Sequence, residues 1–574
     1  MKNLFRFSIL IAAAGVALCG PKRALDLQKT SGRVDVIVQY RRTPNEVELN
    51  RLGSARRIKK FASIHAAVAS LTEAEIESLE ADPNVAYISP DRSVTPFLDI
   101  TAPSVNATYA WKMGYDGTGI GVAIIDSGVY QHPDLSSAGG APTPPGPHGP
   151  PTPAAPLTPG SRVVYSQSFI SGLNASDQFG HGTHVAGILA SDAKDSTGPP
   201  FTRSYRGIAP NANIINLRVL DANGVGTDSE VIAAIDAAIQ LQAKYNIRVI
   251  NLSLGRPVYE SYALDPLCQA VEAAWNAGIV VVVAAGNYGR EDYLQTMGYG
   301  TIASPGNDPY VITVGAMNSM GTPNINDDKI CSYTSKGPTA YDHFVKPDLV
   351  APGNNVVSLM DPNSTLATQY PNLLIPVSTY DPGVPGTSGT YMMLSGTSMA
   401  TPVVSGAAVL LLQQTPSLTP DEVKARLMKT ANKNLNPVTV TVDPTTLMTY
   451  VDQADVFTVG AGYVDIEAAL NNTDLVRLPA LSPTADLVKS KDVTMVRNFS
   501  LVWGDSMVWG DAVVYGTSAF VSIVNGASVI WGDSMVWGDT SIAGNSLIWG
   551  DSVLGATAAQ AQALSPAASD SSQQ

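Results

Sequence analysis

The stretch FGHGTHVAG (179–187) sets two histidines three residues apart, with glycine on each side of the first. Three chemistries suit such a pair: two metal ligands, two packed core side chains, or one general base beside a packed neighbour. A zinc site needs a third ligand, and the H-E-x-x-H pattern with its glutamate base is absent. The chain has six histidines (65, 132, 148, 181, 184 and 343), so few can serve as a catalytic base. Two other stretches supply partners for one. IIDSGV puts Asp126 at the end of an apolar run, and LSGTSMATP puts Ser398 at the head of a helical segment. Pro402 is read into the first turn of that helix, where proline is tolerated. A serine hydroxyl becomes a nucleophile when histidine takes its proton, and a buried aspartate fixes the tautomer of that histidine.

Competing readings fail on number or order. Aspartic proteases need two catalytic DSG-type turns, and this chain has no second one. A G-x-S-x-G elbow needs its acid and histidine after the serine, whereas the last histidine, His343, precedes Ser398. The surviving order is Asp126, His181, Ser398. His184, one turn inward, reads as a packed, hydrogen-bonded core residue.

These residues must be held by elements, and the intervening sequence alternates strand and helix. Strands read GVAIID (121–126), NIINLRVL (213–220), RVINLS (248–253), VVVVAA (280–285) and YVITVGA (310–316). Helices read HGTHVAGILAS, SEVIAAIDAAIQLQAKY, LCQAVEAAWNAG, SMATPVVSGAAVLLLQQ and PDEVKARLMKTA; in the second, Ile232, Ile235 and Ile239 share a face. Such alternation predicts an α/β fold, a doubly wound parallel sheet covered on both faces. Sites in such sheets lie at the carboxyl ends of the strands. Two inserts interrupt the pattern, a proline-rich surface loop at 141–160 and a second stretch at 359–393, just before the serine.

Four segments, AIIDSGV, GHGTHVAG, VVAAGN and SGTSMATP, taken in this order, resemble the hallmark segments of the subtilisin-like serine peptidases. The resemblance covers roughly residues 100 to 470. It implies that the side-chain amide of Asn287 and the backbone N–H of Ser398 form the oxyanion hole. It also implies that Gly224, Val225 and Gly226, and Ser253, Leu254 and Gly255, are edge segments that pair with an extended peptide. A large apolar residue is expected before the scissile bond. The chemistry needs no cofactor. Structural calcium stays open: Asp134 in HPDL matches one family ligand position, but SDAKDSTGPPFTRSYRG (191–207) lacks the family's Asn/Gly-rich loop.

The rest of the chain frames that unit. Lys2, Arg6 and an apolar run from Phe7 to Leu18 make 1–20 a secretory signal peptide. Leu18 is a poor residue before a lipidated Cys19. No segment reads as a transmembrane span. Residues 21–98 read as a small α+β domain, with strands RVDVIVQY, IHAAVASL and VAYISPD and a helix opened by a Thr72/Glu75 capping box. This domain resembles the family's inhibitor-type propeptide, an intramolecular inhibitor. The catalytic unit is placed at 99–475 and a tail at 476–574. In the tail, hexads of the WGDSMV type carry five of the seven tryptophans. A period of six puts every Trp on one face of an extended chain, which suits either a short parallel β-solenoid or a sticky tail that binds a surface or other copies. Cys268 and Cys331 are either a disulfide or two buried thiols. With 35 basic against 49 acidic residues the net charge is −14, which argues against a nucleic-acid partner. The expected function is a secreted serine endopeptidase acting on polypeptides and made as a self-processed zymogen. The alternative is a surface or adhesion protein with an inactive protease-like domain.

Overall fold

The computed structural model describes residues 22–24, 27, 29, 32–52, 58–61, 65–90, 98–136, 160–291, 296, 298–443, 446–475, 479–489 and 492–496, and short strands at 518–522, 530–531, 535–536 and 559–561. The expected signal peptide, Cys19, the proline-rich insert up to 159 and most of the hexads lie outside the described residues. The chain divides after Val94 into two compact units.

In the first unit, β1 (Arg33–Tyr40), α1 (Glu46–Arg51), β2 (Ile58–Lys60), β3 (Ala66–Thr72), α2 (Glu73–Glu80) and β4 (Val85–Pro90) build a four-stranded antiparallel sheet of order β2-β3-β1-β4. Alternation in β1 sends Val36, Val38 and Tyr40 into a core shared with Leu71, Ile76, Leu79 and Ile88. Thr72 opens α2 with the expected capping box: its backbone N–H donates to the Glu75 carboxylate at 2.7 Å.

The second unit opens with α3 (Leu98–Ser104) and α4 (Ala107–Lys112). Its sheet uses β5 (Gly121–Asp126), β6 (Val163–Ser168), β7 (Asn213–Arg218), β9 (Ile247–Leu252), β11 (Val280–Ala284), β12 (Ile312–Asn318), β13 (Lys329–Ile330) and β14 (Leu349–Pro352). The order is β13-β12-β11-β9-β5-β7-β6, with β14 also on β12; all pairs are parallel except β12 with β13. The expected parallel sheet is therefore mixed by one short antiparallel edge strand. Every residue of β5, β11 and β12 is buried. That explains the unbroken Val/Ile runs, because both faces are covered. The covering helices include α5 (His181–Ala190), α6 (Asp228–Tyr245), α7 (Pro266–Asn276) and α9 (Thr397–Gln414). Two two-residue strands, β8 (Val225–Gly226) and β10 (Leu254–Gly255), lie off this sheet.

The 359–393 insert is ordered. β15 (Val356–Leu359), α8 (Thr365–Gln369), β16 (Leu374–Pro376) and β17 (Thr387–Leu394) form it, with antiparallel sheet order β15-β17-β16. β17 runs straight into α9. Beyond these come α10 (Pro420–Thr430), the hairpin β18 (Val438–Val442) and β19 (Thr449–Gln453), α11 (Ile466–Asn471), β20 (Thr484–Lys489), β21 (Asp492–Val496) and β22 (Ser518–Ser522). The two-residue β23 (Ile530–Trp531) and β24 (Met535–Val536) follow. In the tail, β21 with β22 and β23 with β24 pair antiparallel, unlike turns of a parallel solenoid.

The packed body runs past residue 475. Asp348, fully buried, accepts from Lys346 Nζ at 2.7 Å, from Ser482 Oγ at 2.7 Å and from the Thr313 N–H at 2.8 Å, with Lys424 Nζ at 3.2 Å. Burial alone would raise the Asp348 pKa, but the two ammonium groups outweigh it and hold it low. Burial pulls Lys424 down to about 7. Removing the carboxylate strands two buried cations. Asp348→Ala should lose ~3–5 kcal/mol in urea unfolding, the range for breaking a buried ion pair. A loss under ~1 kcal/mol would mean that the lysines find other partners.

Candidate active site

β5 ends on Asp126, which is buried and accepts from the Ser127 N–H at 2.7 Å. The same oxygen lies 2.8 Å from Nδ1 of buried His181. A carboxylate only accepts, so this contact assigns the proton to Nδ1 and leaves Nε2 as the basic nitrogen. Nε2 is buried with no hydrogen-bond partner among the described atoms.

His181 is the first residue of α5, and the chain reaches it through a fixed loop. Arg218, buried at the end of β7, donates to the carbonyls of Asn174 (2.9 Å) and Ser176 (2.8 Å) and to Gln178 Oε1 (2.8 Å). Between them sits Asp177, also buried. Its carboxylate accepts from the N–H groups of Gly180 (2.7 Å) and Thr183 (2.8 Å), from Thr183 Oγ1 (2.6 Å) and from Ser127 Oγ (2.8 Å). Burial raises its pKa, and these donors work against that. Asp177 thus satisfies the open N–H groups of the helix start and ties it to the strand that carries Asp126. Gly180 has φ of 105°, which a side chain would strain. A Cβ on Gly182 would run into the Gly128 carbonyl and the Asp126 side chain. The glycines around His181 are there for backbone shape and close approach. The sequence reading missed Asp177; an acid four residues before the helix start at His181 was the available signal.

Ser398 is the second residue of α9. Its Oγ donates to the Ser253 carbonyl at 3.1 Å, and Ser253 Oγ donates back to the Ser398 carbonyl at 2.9 Å. The second bond has a cause in Pro402. Because α9 begins at Thr397, Pro402 falls in its second turn, not the first. It has no N–H for the carbonyl four residues back, which is that of Ser398, and the Ser253 hydroxyl replaces the missing donor. Asn287 follows β11. Its Oδ1 accepts from the Thr397 N–H (2.9 Å) and Thr397 Oγ1 (3.1 Å), so it caps α9 from outside. Two donors on one atom assign that atom as oxygen and the other as the amide nitrogen.

His184 is the packed residue expected. Its Nε2 donates to carbonyls of both β15 (Val356, 3.1 Å) and β17 (Met392, 3.0 Å), and burial lowers its pKa to about 3, so it stays neutral. Asp134 is fully buried, and its oxygens accept from the Asp195 N–H (2.7 Å), Tyr391 Oη (2.6 Å) and Ser191 Oγ (3.3 Å). One donor atom each from His132, Asp134 and Asp195 gather within 4.8 Å. One nitrogen and two carboxylates fall short of the six to eight oxygens that calcium takes. Cys268 and Cys331 are both buried and are not joined in a disulfide.

The sequence model of the subtilase family matches residues 117–462. The chain belongs to the subtilase family. Among its relatives are Serine protease AprX of Bacillus subtilis, 34% identical over 70% of this chain and 83% of that protein, and Subtilisin E of the same species, 33% identical over 65% and 77%. A crystal structure of a cold adapted subtilisin-like serine proteinase aligns with a TM-score of 0.37 at 28% identity, over 56% of this chain and 85% of that one. This subtilase is a serine endopeptidase. The alternative of an inactive, adhesive protein finds no support among these relatives.

The residues of the subtilase expected to pair with an extended peptide sit as two short edges. One edge is β8, preceded by Gly224, and the other is β10, preceded by Ser253. A described strand from the tail, β25 (Ala559–Ala561), lies between them. Ser253 thus leads into β10 and supports the Ser398 carbonyl. In a Ser398→Ala background, Ser253→Ala should cost about 1–3 kcal/mol in urea unfolding. It leaves the Ser398-position carbonyl buried without a donor. Ser253→Thr keeps a hydroxyl and should recover part of the loss; equal losses for both would point to packing instead.

Proposed function

We propose that Asp126, His181 and Ser398 are the catalytic triad, that Asn287 and the Ser398 N–H form the oxyanion hole, and that extended polypeptides bind between β8 and β10. The observation that carries this reading is the buried 2.8 Å contact of Asp126 with His181 Nδ1, which leaves Nε2 unsatisfied. In the reaction, His181 Nε2 takes the Ser398 proton as Oγ attacks the substrate carbonyl. The C–N bond then breaks, and the imidazolium gives its proton to the departing amine. Asp126 stabilises the imidazolium meanwhile. A water deprotonated by the same nitrogen releases the acyl group. The oxyanion of each step meets a helix N-terminus and the Asn287 amide, donors already in place before charge develops. Base, nucleophile and donors are all protein groups, so no metal or cofactor takes part.

The first unit serves, in this reading, as an inhibitor-type propeptide, and residues 1–20 direct export. Support comes from the unit's own core and from the sequence resemblance. Processing is expected between Ser93 and Leu98, ahead of α3, because Ile100 and Ala102 are buried. Ser398→Ala and His181→Ala should each abolish turnover, with kcat losses of ~10⁶, the magnitude found for a subtilisin. The double variant should be little worse than either single one. The Ser398→Ala precursor should also keep its first unit when expressed alone. Losses that multiply in the double variant would break the triad assignment.

Asn287 has two jobs that substitutions can separate. Asn287→Leu should lower kcat by roughly 10²–10³, the subtilisin value for such a donor, with little change in KM. It should also destabilise, because the buried Thr397 N–H loses its acceptor. Asn287→Asp keeps the acceptor and removes the amide donor, so it should lose the rate and keep the stability. An effect confined to KM would make Asn287 a residue that only positions substrate.

A further inference from the structure

β25 stands between β8 and β10 and joins them into a three-stranded sheet of order β10-β25-β8, antiparallel on each side. On one side Ala561 faces Leu254 and Gln560 faces Gly255; on the other Gln560 faces Val225 and Ala559 faces Gly226. Gln560 is therefore opposite a residue of each edge. Neighbouring strands lie about 4.8 Å apart, so β8 and β10 stand two spacings apart, roughly 10 Å. That gap admits one extended chain and no second. Two-sided backbone pairing is also the mode by which a sheet edge captures an extended peptide.

The strand has the polarity of the acyl part of a substrate. β10 leads away from Ser253, whose carbonyl accepts from Ser398 Oγ, and residue numbers in β25 rise toward the Ser253 end of β10. A chain lying this way points its C-terminal side at the nucleophile. Its composition suits the place. Ala559, Gln560 and Ala561 are uncharged, and no charged residue lies between Asp551 and Asp570, so no ion is stranded beside the buried Leu254 and Gly255.

We propose that Ala559–Ala561 is a built-in competitive inhibitor of this subtilase, which fills the gap between β8 and β10 and must leave before a polypeptide substrate can enter. The proposal rests on the groove and triad reading above. Two alanines bury little apolar surface, so the backbone ladders carry the contact, and a substrate with larger side chains outcompetes it. About 70 residues separate β20 from β25. Tethering makes the encounter intramolecular and raises the effective concentration of so short a strand. Only the open fraction of the enzyme binds substrate, so the strand raises KM by the inverse of that fraction. Saturating substrate displaces it, and kcat is unaffected.

The test traps the strand in the full chain. Val225→Cys with Gln560→Cys puts two thiols on directly opposed residues. Mild oxidation should join them within one chain, with the linked peptides identified by mass. Val225→Cys with Ala561→Cys should not cross-link, because neighbouring side chains of a strand point to opposite faces. In the Val225/Gln560 chain, hydrolysis of a chromogenic tetrapeptide should fall at least roughly tenfold on oxidation and return on reduction. Gln560→Pro removes a ladder N–H and should lower KM for the tetrapeptide roughly fivefold with kcat unchanged. Intact mass should show 559–561 retained in the wild type throughout the assay. No cross-link at Gln560, a cross-linked chain of full activity, a Gln560→Pro effect confined to kcat, or loss of 559–561 from the wild type each overturns the proposal alone. A wild type and a Gln560→Pro chain that both fail to hydrolyse the tetrapeptide overturn the triad reading and this proposal with it.

Discussion

Ser253 and Ser398 hold each other by two hydrogen bonds, hydroxyl to carbonyl in both directions, at 2.9 and 3.1 Å. In the proposed reading Ser253 belongs to the edge that receives peptide and Ser398 is the nucleophile. The pair ties the residue ahead of β10 directly to the start of α9. Pro402 makes this necessary. It denies the Ser398 carbonyl its helical donor, and a buried carbonyl without a donor costs more than any single hydrogen bond gains. A local defect in a helix has become the joint between α9 and the end of β9.

Around that joint, the sheet supplies position and the buried polar groups supply orientation. Strands of a parallel sheet all end on one side, so Asp126, Ser253 and Asn287, each at or just past a strand end, come to the same edge without any local instruction. Orientation is a separate problem. Asp177 grips the start of α5 with both oxygens, and Asn287 grips the start of α9 with one. Each helix start therefore has its open N–H groups satisfied by a residue that is also tied to a neighbouring strand or loop. Capping fixes the helix starts that carry His181 and Ser398.

Most of the architecture was legible from pattern. β1, β5 and the body of α6 fall on the expected residues because alternation, unbroken β-branched runs and helical spacing each have one geometric solution. What escaped has physical reasons. β6 reads VVYSQS and is only partly buried, so it carries no strong apolar pattern. The 359–393 insert looked like an interruption, yet β15 and β17 are joined through His184 and lead into α9, a role no local pattern encodes. The continuation of the packed body to Ser482 depends on Asp348 and Lys424, which lie far away in sequence.

The sequence by itself determined the family, the order Asp126, His181, Ser398 and the existence of a covered parallel sheet. Motif spacing and hydrophobic period are local properties, and local properties survive without coordinates. Tertiary structure decided which atoms meet: that Pro402 lies a turn deeper than its motif suggested, that Ser253 replaces the missing donor, and that Asp177 holds the histidine helix. It also decided that the strand between β8 and β10 comes from the far end of the chain. Those facts depend on contacts between residues tens to hundreds of positions apart. A buried donor or acceptor takes whichever partner the packing brings within reach, and only the folded chain specifies that partner.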